Sequence, residues 1–337
     1  MHVAAFTELT GPNGVTIIEQ PAPDPGPEEA IIDVEACAIN RHDLWILEGD
    51  SVMIDSDDLP FVSGLDVAGT VQAVGPGVTA VEPGDAVVLC PNKTCGTCRF
   101  CREGPENHCA SYSLYHGGLA EQARVRADRL VVLPPSVETT TAAALPTAYM
   151  TAYHMLERAN VSPTDTVFIP GVTGGVGVAC VQLAKILGLE TIGTSSSAAK
   201  LDRLEALGLD HAIRGTDPAT LRRAVQEITT PDAVLNHLGG AYTELGVDLL
   251  SRGGRMVICG RTAGSRSEIS VPDLFLGHKR IIGSTMGTQT ELERLVSLVE
   301  RETLHPEIEA FYSLEETALA FTTMQNRENV GKLVVTP

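Results

Sequence analysis

The sequence predicts an α/β protein of two domains, a β-rich first part followed by a doubly wound parallel sheet, and three observations carry that prediction. Through about residue 135 the apolar runs are short, and Gly or Pro punctuates them. After an Ala-rich stretch at 141–151, strand-like and helix-like segments alternate. The first of those strands runs into a glycine-rich turn and then an amphipathic pattern, the arrangement of a nucleotide-binding sheet. A chain of 337 residues is long enough for two domains and a sizeable core.

In chain order, the short apolar runs 15–18, 30–39, 68–74, 86–89 and 130–133 read as irregular all-β structure. Between Asp33 and Asn40 the pattern alternates, which sets Val34, Ala36, Ala38 and Asn40 on one face and Cys37 on the other. In the second part, strands at 167–170, 191–194, 233–238, 255–259 and 280–283 are interleaved with helices at 178–187, 198–207 and 241–250. Helices near 291–302 and 314–324 and a closing strand at 332–335 complete the tail, which the first domain is expected to recruit. No internal repeat or low-complexity segment is visible.

The chain has 43 acidic against 24 basic residues, a formal net charge of −19, and only five of the basic residues are lysine. Nucleic acid and anionic membranes repel such a surface, so neither is an expected partner; a small-molecule substrate is. Arginine in preference to lysine fits a protein kept soluble in high salt and equally an ordinary acidic enzyme. No apolar stretch approaches the roughly 20 residues that span a bilayer, and the start lacks a basic region followed by a long apolar core. A cytoplasmic protein is expected, in keeping with reduced thiols.

Half of the eight cysteines form the cluster Cys95-x2-Cys98-x2-Cys101-x7-Cys109. Spacings of two, two and seven suit one tetrahedral zinc ion; an iron–sulfur cluster and a pair of disulfides are the competing readings. Gly96, Gly104 and Pro105 supply the turns and the helix break that such a knuckle needs. Zinc held by four thiolates has no position left for water or a carbonyl, so it staples a loop and the chemistry lies elsewhere.

Gly171-Val172-Thr173-Gly174-Gly175-Val176-Gly177 lies between a predicted strand and a predicted helix. Its glycines permit a tight turn, close approach of backbone to a pyrophosphate and close helix–sheet packing, and the helix N-terminus meets the phosphate charge. The second strand runs into Thr194-Ser195-Ser196-Ser197, with Lys200 three residues on, and no carboxylate there would repel a 2′-phosphate. Ser195, Ser196 and Lys200, with Arg214 as a further cation, favour NADPH over NADH.

The cysteine loop followed by this phosphate loop resembles the zinc-containing medium-chain dehydrogenase/reductase superfamily over essentially the whole chain. Pro83-Gly84-Asp85, Gly117-Gly118-Leu119-Ala120-Glu121, Arg252-Gly253-Gly254-Arg255 and Gly331-Lys332-Leu333-Val334 add to the likeness. The resemblance implies a GroES-like β-barrel catalytic domain (1–150 and 290–337, zinc loop 90–110), a Rossmann coenzyme domain (151–289) and an active cleft between them. It also implies a homodimer or homotetramer, with dimers formed through the Rossmann sheet edges, and a Lys332 that reaches the cofactor pyrophosphate.

Alcohol dehydrogenases of this superfamily hold a catalytic zinc with three side chains, and by motif register those places are taken here by Asn40, Leu65 and Thr147. Leucine cannot ligate a metal, and asparagine and threonine are poor zinc ligands. Asn40 followed by Asp43, and Gly64-Leu65-Asp66, look instead like the quinone oxidoreductase and enoyl reductase branches. The expected activity is therefore NADPH-dependent hydride transfer to a quinone or α,β-unsaturated carbonyl without catalytic zinc. Asn40 is the candidate hydrogen-bond donor, His42 the candidate proton donor, and Trp45 and Tyr149 candidate lining. An alcohol dehydrogenase whose metal is rescued by some of Cys37, His42, Asp43, Asp66 and His116, and a non-catalytic NADPH-binding protein, are the alternatives.

Overall fold

Glu29–Ala38 forms the longest strand of the computed structural model, which describes residues 1–51 and 53–337. Its apolar residues face inward and Asp33 and Glu35 face water, as the alternation requires. It is the hub of a seven-stranded sheet, paired antiparallel with Asp66–Val74, with Gln122–Arg126 and with the tail strand Lys332–Thr336. The tail strand in turn pairs parallel with Ile308–Ser313. Ala86–Leu89 and Leu130–Val132 extend the other edge. One apolar core beneath the sheet joins Phe6, Ile32, Leu44, Phe321 and Leu333, with Phe6 and Phe321 edge to face at 5.6 Å. These elements make up one compact unit, Met1–Ala148 with Thr288–Pro337.

Two details of this unit depart from the alternation read above. The strand stops at Ala38, so Asn40 is not the next residue of a face: it caps a short helix, Arg41–Leu47, in what reads as all-β sequence. The signal was Asn40-x-x-Asp43, because the Asp43 carboxylate accepts the Asn40 backbone N–H at 2.8 Å and secures the first turn. Cys37 is fully buried, with its sulfur packed where Gly64 and Gly118 come too close to tolerate a Cβ.

The second unit, Tyr149–Gly287, is built on six parallel strands. Their spatial order is His211–Arg214, Glu190–Ser195, Thr166–Ile169, Ala233–Asn236, Arg255–Ile258, Arg280–Gly283. The first strand in sequence lies in the middle, and the chain winds outward from it in both directions, so the strand order reverses beside Thr166–Ile169. Dinucleotides bind at the carboxyl ends of strands at such a switch point. Four-residue strands such as Ala233–Asn236, buried throughout, read as continuous apolar runs because helices cover both faces. Helix Pro218–Ile228, opened by Pro218 and capped by the Asp217 carboxylate on the Thr220 N–H at 2.8 Å, was not foreseen. Among the described residues no helix is long and apolar enough to cross a membrane.

Candidate active site and metal centre

The segment from Cys95 to Cys109 brings its four sulfurs within 4.8 Å of one another. The Cys98–Cys101 and Cys95–Cys101 separations are 3.5 and 3.8 Å. A tetrahedron of sulfurs about 2.3 Å from zinc has edges of about 3.8 Å, whereas a disulfide closes to about 2.05 Å. The cysteines are unbridged, so the disulfide reading does not hold. Backbone N–H groups point at the sulfurs, from Cys98 to Cys95 at 3.3 Å and from Cys95 to Cys109 at 3.4 Å. Hydrogen bonds from the Thr97 backbone and hydroxyl pull the Cys95 thiol down to about 5, toward the thiolate that a metal requires. Within the lobe, Glu106 accepts the backbone N–H of Gln289 at 2.6 Å, at the start of helix Gln289–Glu300. The donor set fits a zinc ion, and among the described residues it is the single group of three or more His, Cys, Asp or Glu side chains placed to hold a metal.

In the second unit, the phosphate loop follows strand Thr166–Ile169 and opens helix Gly175–Ile186. Gly171 takes a φ of +73°, and a Cβ on Gly177 would lie 2.7 Å from the Gly171 carbonyl, so helix and loop touch only because both are glycine. Thr194 holds the turn from the neighbouring strand: its hydroxyl accepts the Gly171 N–H and its carbonyl the Val172 N–H, both at 3.0 Å. His237, missed in the sequence, hydrogen-bonds the Gly171 carbonyl through Nε2 at 3.2 Å, and burial pushes its imidazole down to about 4, so it stays neutral. Gly174 is the N-cap, and a Cβ there would meet nothing within 4 Å, leaving open space in front of the first turn of Gly175, Val176 and Gly177. Thr173 lies in the same turn. That opening, faced by orphan N–H groups, fits a pyrophosphate.

At the end of strand Glu190–Ser195, Ser195 pairs in register with Arg214, whose Nε donates to the Ser196 carbonyl at 3.4 Å. The Ser195 hydroxyl accepts the Ser197 N–H, and the Ser197 hydroxyl caps the next helix through the Lys200 N–H. Ser196 is exposed, and Lys200 stands in the first helical turn. The structure thus gathers Ser195, Ser196, Lys200 and Arg214 at one strand end.

The third cluster lies in the first unit, where the resemblance places the lost metal ligands. Asp66 is wholly buried, and all four lone-pair directions of its carboxylate are taken. Oδ1 accepts the Thr147 N–H at 3.0 Å and the Thr147 hydroxyl at 2.5 Å; Oδ2 accepts Asn40 Nδ2 at 2.9 Å and Lys332 Nζ at 3.0 Å. Thr147 can offer its backbone N–H because 145–149 is a π-helical turn. Lys332 spends its other two protons on the Ile39 carbonyl at 2.9 Å and Asn40 Oδ1 at 2.5 Å. Burial raises the Asp66 carboxyl, and Lys332 opposes that rise. Leu65, the remaining ligand position, is buried apolar core.

This network bears on two expectations. Lys332, expected at the pyrophosphate, is 2 % exposed with every N–H committed inside the first unit. Asn40 gives both amide protons to groups of the first unit, Asp66 and the Ala38 carbonyl at 3.2 Å, so it braces Asp66. Asp66 offers no lone pair to a metal. His42 stands two residues from Asn40 on the first turn of helix Arg41–Leu47, with its ring stacked on His116 at 5.5 Å. Trp45 is half-buried on that helix; Tyr149 is fully buried and donates to Gln182 at 2.6 Å, so it is core of the second unit.

Comparison with known proteins agrees with this anatomy. Residues 26–135 match the alcohol dehydrogenase GroES-like domain family, and residues 175–301 match the zinc-binding dehydrogenase family. Acryloyl-coenzyme A reductase of Sulfurisphaera tokodaii is 28 % identical over 336 residues, 98 % of each chain. A solved NAD-dependent alcohol dehydrogenase is 32 % identical and superposes with a TM-score of 0.91 over 100 % of both chains. The 2-octenoyl-CoA carboxylase reductase CinF, solved with NADP and 2-octenoyl-CoA, is 26 % identical with a TM-score of 0.90, covering 99 % of this chain and 87 % of its own. The chain is an NAD(P)-dependent oxidoreductase and belongs to the medium-chain dehydrogenase/reductase superfamily of zinc-type alcohol dehydrogenases and reductases.

Proposed function

We propose that the protein reduces a carbon–carbon double bond conjugated to a carbonyl, most simply an α,β-unsaturated thioester, with NADPH and without a catalytic metal. The observation that carries this is the Asp66 cluster: where an alcohol dehydrogenase converges three metal ligands, two positions are tied to one saturated carboxylate and the third is leucine. Reduction of an isolated carbonyl concentrates charge on one oxygen and gains several kcal/mol from a Lewis acid. A conjugated acceptor spreads that charge as an enolate, so positioning and hydrogen bonding suffice. The named relatives that act on acryloyl-CoA and 2-octenoyl-CoA support the acceptor class.

Gly171, Thr173, Gly174, Gly175, Val176 and Gly177 hold the pyrophosphate, and Ser195, Ser196 and Lys200, with Arg214, receive the 2′-phosphate. NADPH supplies the hydride when bound. Asn40 and Lys332 brace Asp66 beside helix Arg41–Leu47, and His42 on that helix gives the proton that completes reduction at the α-carbon. Cys95, Cys98, Cys101 and Cys109 hold one structural zinc. Two copies join through the open edge strand Arg280–Gly283, beside which Val271, Phe275 and Leu276 are about 60 % exposed.

The test is NADPH oxidation by the purified protein against crotonyl-CoA, a quinone and a simple aldehyde, with elemental analysis of the same sample. Turnover of the enoyl thioester with one zinc per chain is the expected result. Aldehyde turnover with two tight metals per chain would instead make the protein an alcohol dehydrogenase with an atypical metal site, and silence on every acceptor despite NADPH binding would make it a non-catalytic binder.

A further inference from the structure

His116 belongs to none of the three clusters above, and it is placed with unusual care. Its segment is pinned by the Gly117, Gly118 and Leu119 N–H groups, which donate to the carbonyls of Ser63, Gly64 and Ser63 at 3.2, 3.1 and 3.0 Å. The Ser63–Gly64 segment is tied in turn to Asp43, whose Oδ1 accepts the Ser63 hydroxyl at 2.6 Å and the Gly64 N–H at 3.1 Å. Asp43 sits one residue after His42, so a single carboxylate fixes the distance between the two histidine-bearing segments. The rings lie 5.5 Å apart at 27°, and the edge of Phe61 closes on His116 at 5.0 Å.

Nδ1 of His116 and Nε2 of His42 are both shut off from solvent, and neither has a hydrogen-bond partner in the protein. A buried polar atom without a partner costs about 1–3 kcal/mol, so two on adjacent rings point to a ligand group that they serve. Two imidazolium charges 5.5 Å apart would repel by about 3 kcal/mol at an effective dielectric constant of about 20, so the pair carries one proton at a time. Burial pushes His116 down to about 4, with Asp43 opposing and His42 adding to the drop, so His116 is the neutral member of the pair. His42 and Asp43 are the titratable groups that face His116.

We propose that His42 and His116 form a one-proton imidazole pair in which His42 protonates the α-carbon of the reduced acceptor and His116, held neutral against it, is the residue that positions that ring. The proposal rests on the conjugate-reductase reading. In the step, hydride arrives at the β-carbon and the C=C π pair becomes an enolate. A new C–H bond then forms at the α-carbon as the N–H bond of His42 breaks, leaving His42 neutral until it is reprotonated for the next turnover. The sum is NADPH plus one proton plus enoyl compound giving NADP+ and the saturated product.

Two measurements test it. The first needs no turnover: the His116 Cε1–H resonance, assigned with His116→Gln, is titrated in the unmodified protein and in His42→Gln. Removal of the His42 charge should move the His116 midpoint upward by more than about half a unit; an unchanged midpoint would overturn the shared proton. The second is crotonyl-CoA reduction in D2O. The unmodified protein should place one deuterium on a single face of the α-carbon, whereas His116→Phe, which keeps a flat ring, should lower kcat about 10–100-fold and scramble that face with NADPH affinity intact. Retained rate and facial selectivity would reduce His116 to packing. If the unmodified protein turns over no enoyl thioester, the reductase reading fails and the delivery step with it, while the titration still decides whether the rings share a proton.

Discussion

The cysteine lobe and the Asp66 cluster are both knots of four polar side chains in the same unit, and they treat charge in opposite ways. The lobe lies at the surface, its four sulfurs within 4.8 Å of one another and Cys95 drawn toward the thiolate. Such a set is stable only around a cation. The Asp66 cluster is buried, and its cation is Lys332, delivered by the tail strand with each proton matched to an acceptor. The lobe is open to an ion and closed to a substrate; the cluster is closed to both. Cysteine count therefore says little about where in the chain the chemistry happens.

The largest expected effect tests the lobe. Cys101→Ser with Cys109→Ser should abolish bound zinc and cost more than about 5 kcal/mol, because metal-binding energy is folding energy for a loop with so little apolar core. Loss should spread to helix Gln289–Glu300, whose first N–H rests on Glu106. Elemental analysis and thermal denaturation read it out, and a variant that keeps its midpoint without zinc would make the lobe dispensable.

The cluster should answer differently. Lys332→Met strands a buried carboxylate and should cost about 3–5 kcal/mol, whereas Lys332→Met with Asp66→Leu should recover most of that loss. The pH dependence has a defined sign. Lys332 lowers the Asp66 carboxyl, so its removal raises that group further, and the folded single variant takes up a proton at a pH where the unfolded chain is still ionised. Its stability relative to the unmodified protein should therefore improve as pH falls from 8 toward 5, as urea midpoints would show. A deficit constant over that range would mean that Lys332 acts through packing alone.

The two clusters were not equally legible in the sequence. The cysteines and the phosphate loop stand close together in the chain, where spacing alone carries geometry. Asn40 and Lys332 are 292 residues apart, and they meet because the tail strand takes its place beside Glu29–Ala38 in a register set by packing. Strand alternation also failed as a guide at Asn40, since the strand had ended two residues earlier and a helix cap took over. The resemblance located the emptied ligand positions, but only the folded chain shows what fills them. His237 was invisible for the same reason, being 66 residues from the carbonyl it holds.

His237 supplies a middle-sized effect in the second unit. An imidazole held near 4 in the folded protein and near its ordinary value of about 6.5 when unfolded contributes stability above pH 6.5 that is lost as pH falls toward 4. The loss amounts to about 3 kcal/mol, and His237→Asn should flatten that limb of the stability profile.

The smallest effect asks whether the strand end at Ser195 is itself a charge device of the open kind, like the lobe, or a solvated turn. Lys200 stands in the first turn of a helix whose N-cap is Ser197. With Arg214 beside Ser195 in the neighbouring strand, a 2′-phosphate would meet two cations and a helix N-terminus, whereas a free 2′-hydroxyl would gain little from either. Lys200→Ala should therefore weaken NADPH about 10-fold, roughly 1.4 kcal/mol, and leave NADH nearly unchanged. Fluorescence titration at two salt concentrations measures both, and the NADPH penalty should shrink at the higher one. Equal affinities for the two nucleotides in the unmodified protein would show that this strand end does not select a phosphate at all, and the cofactor assignment would have to move to NADH.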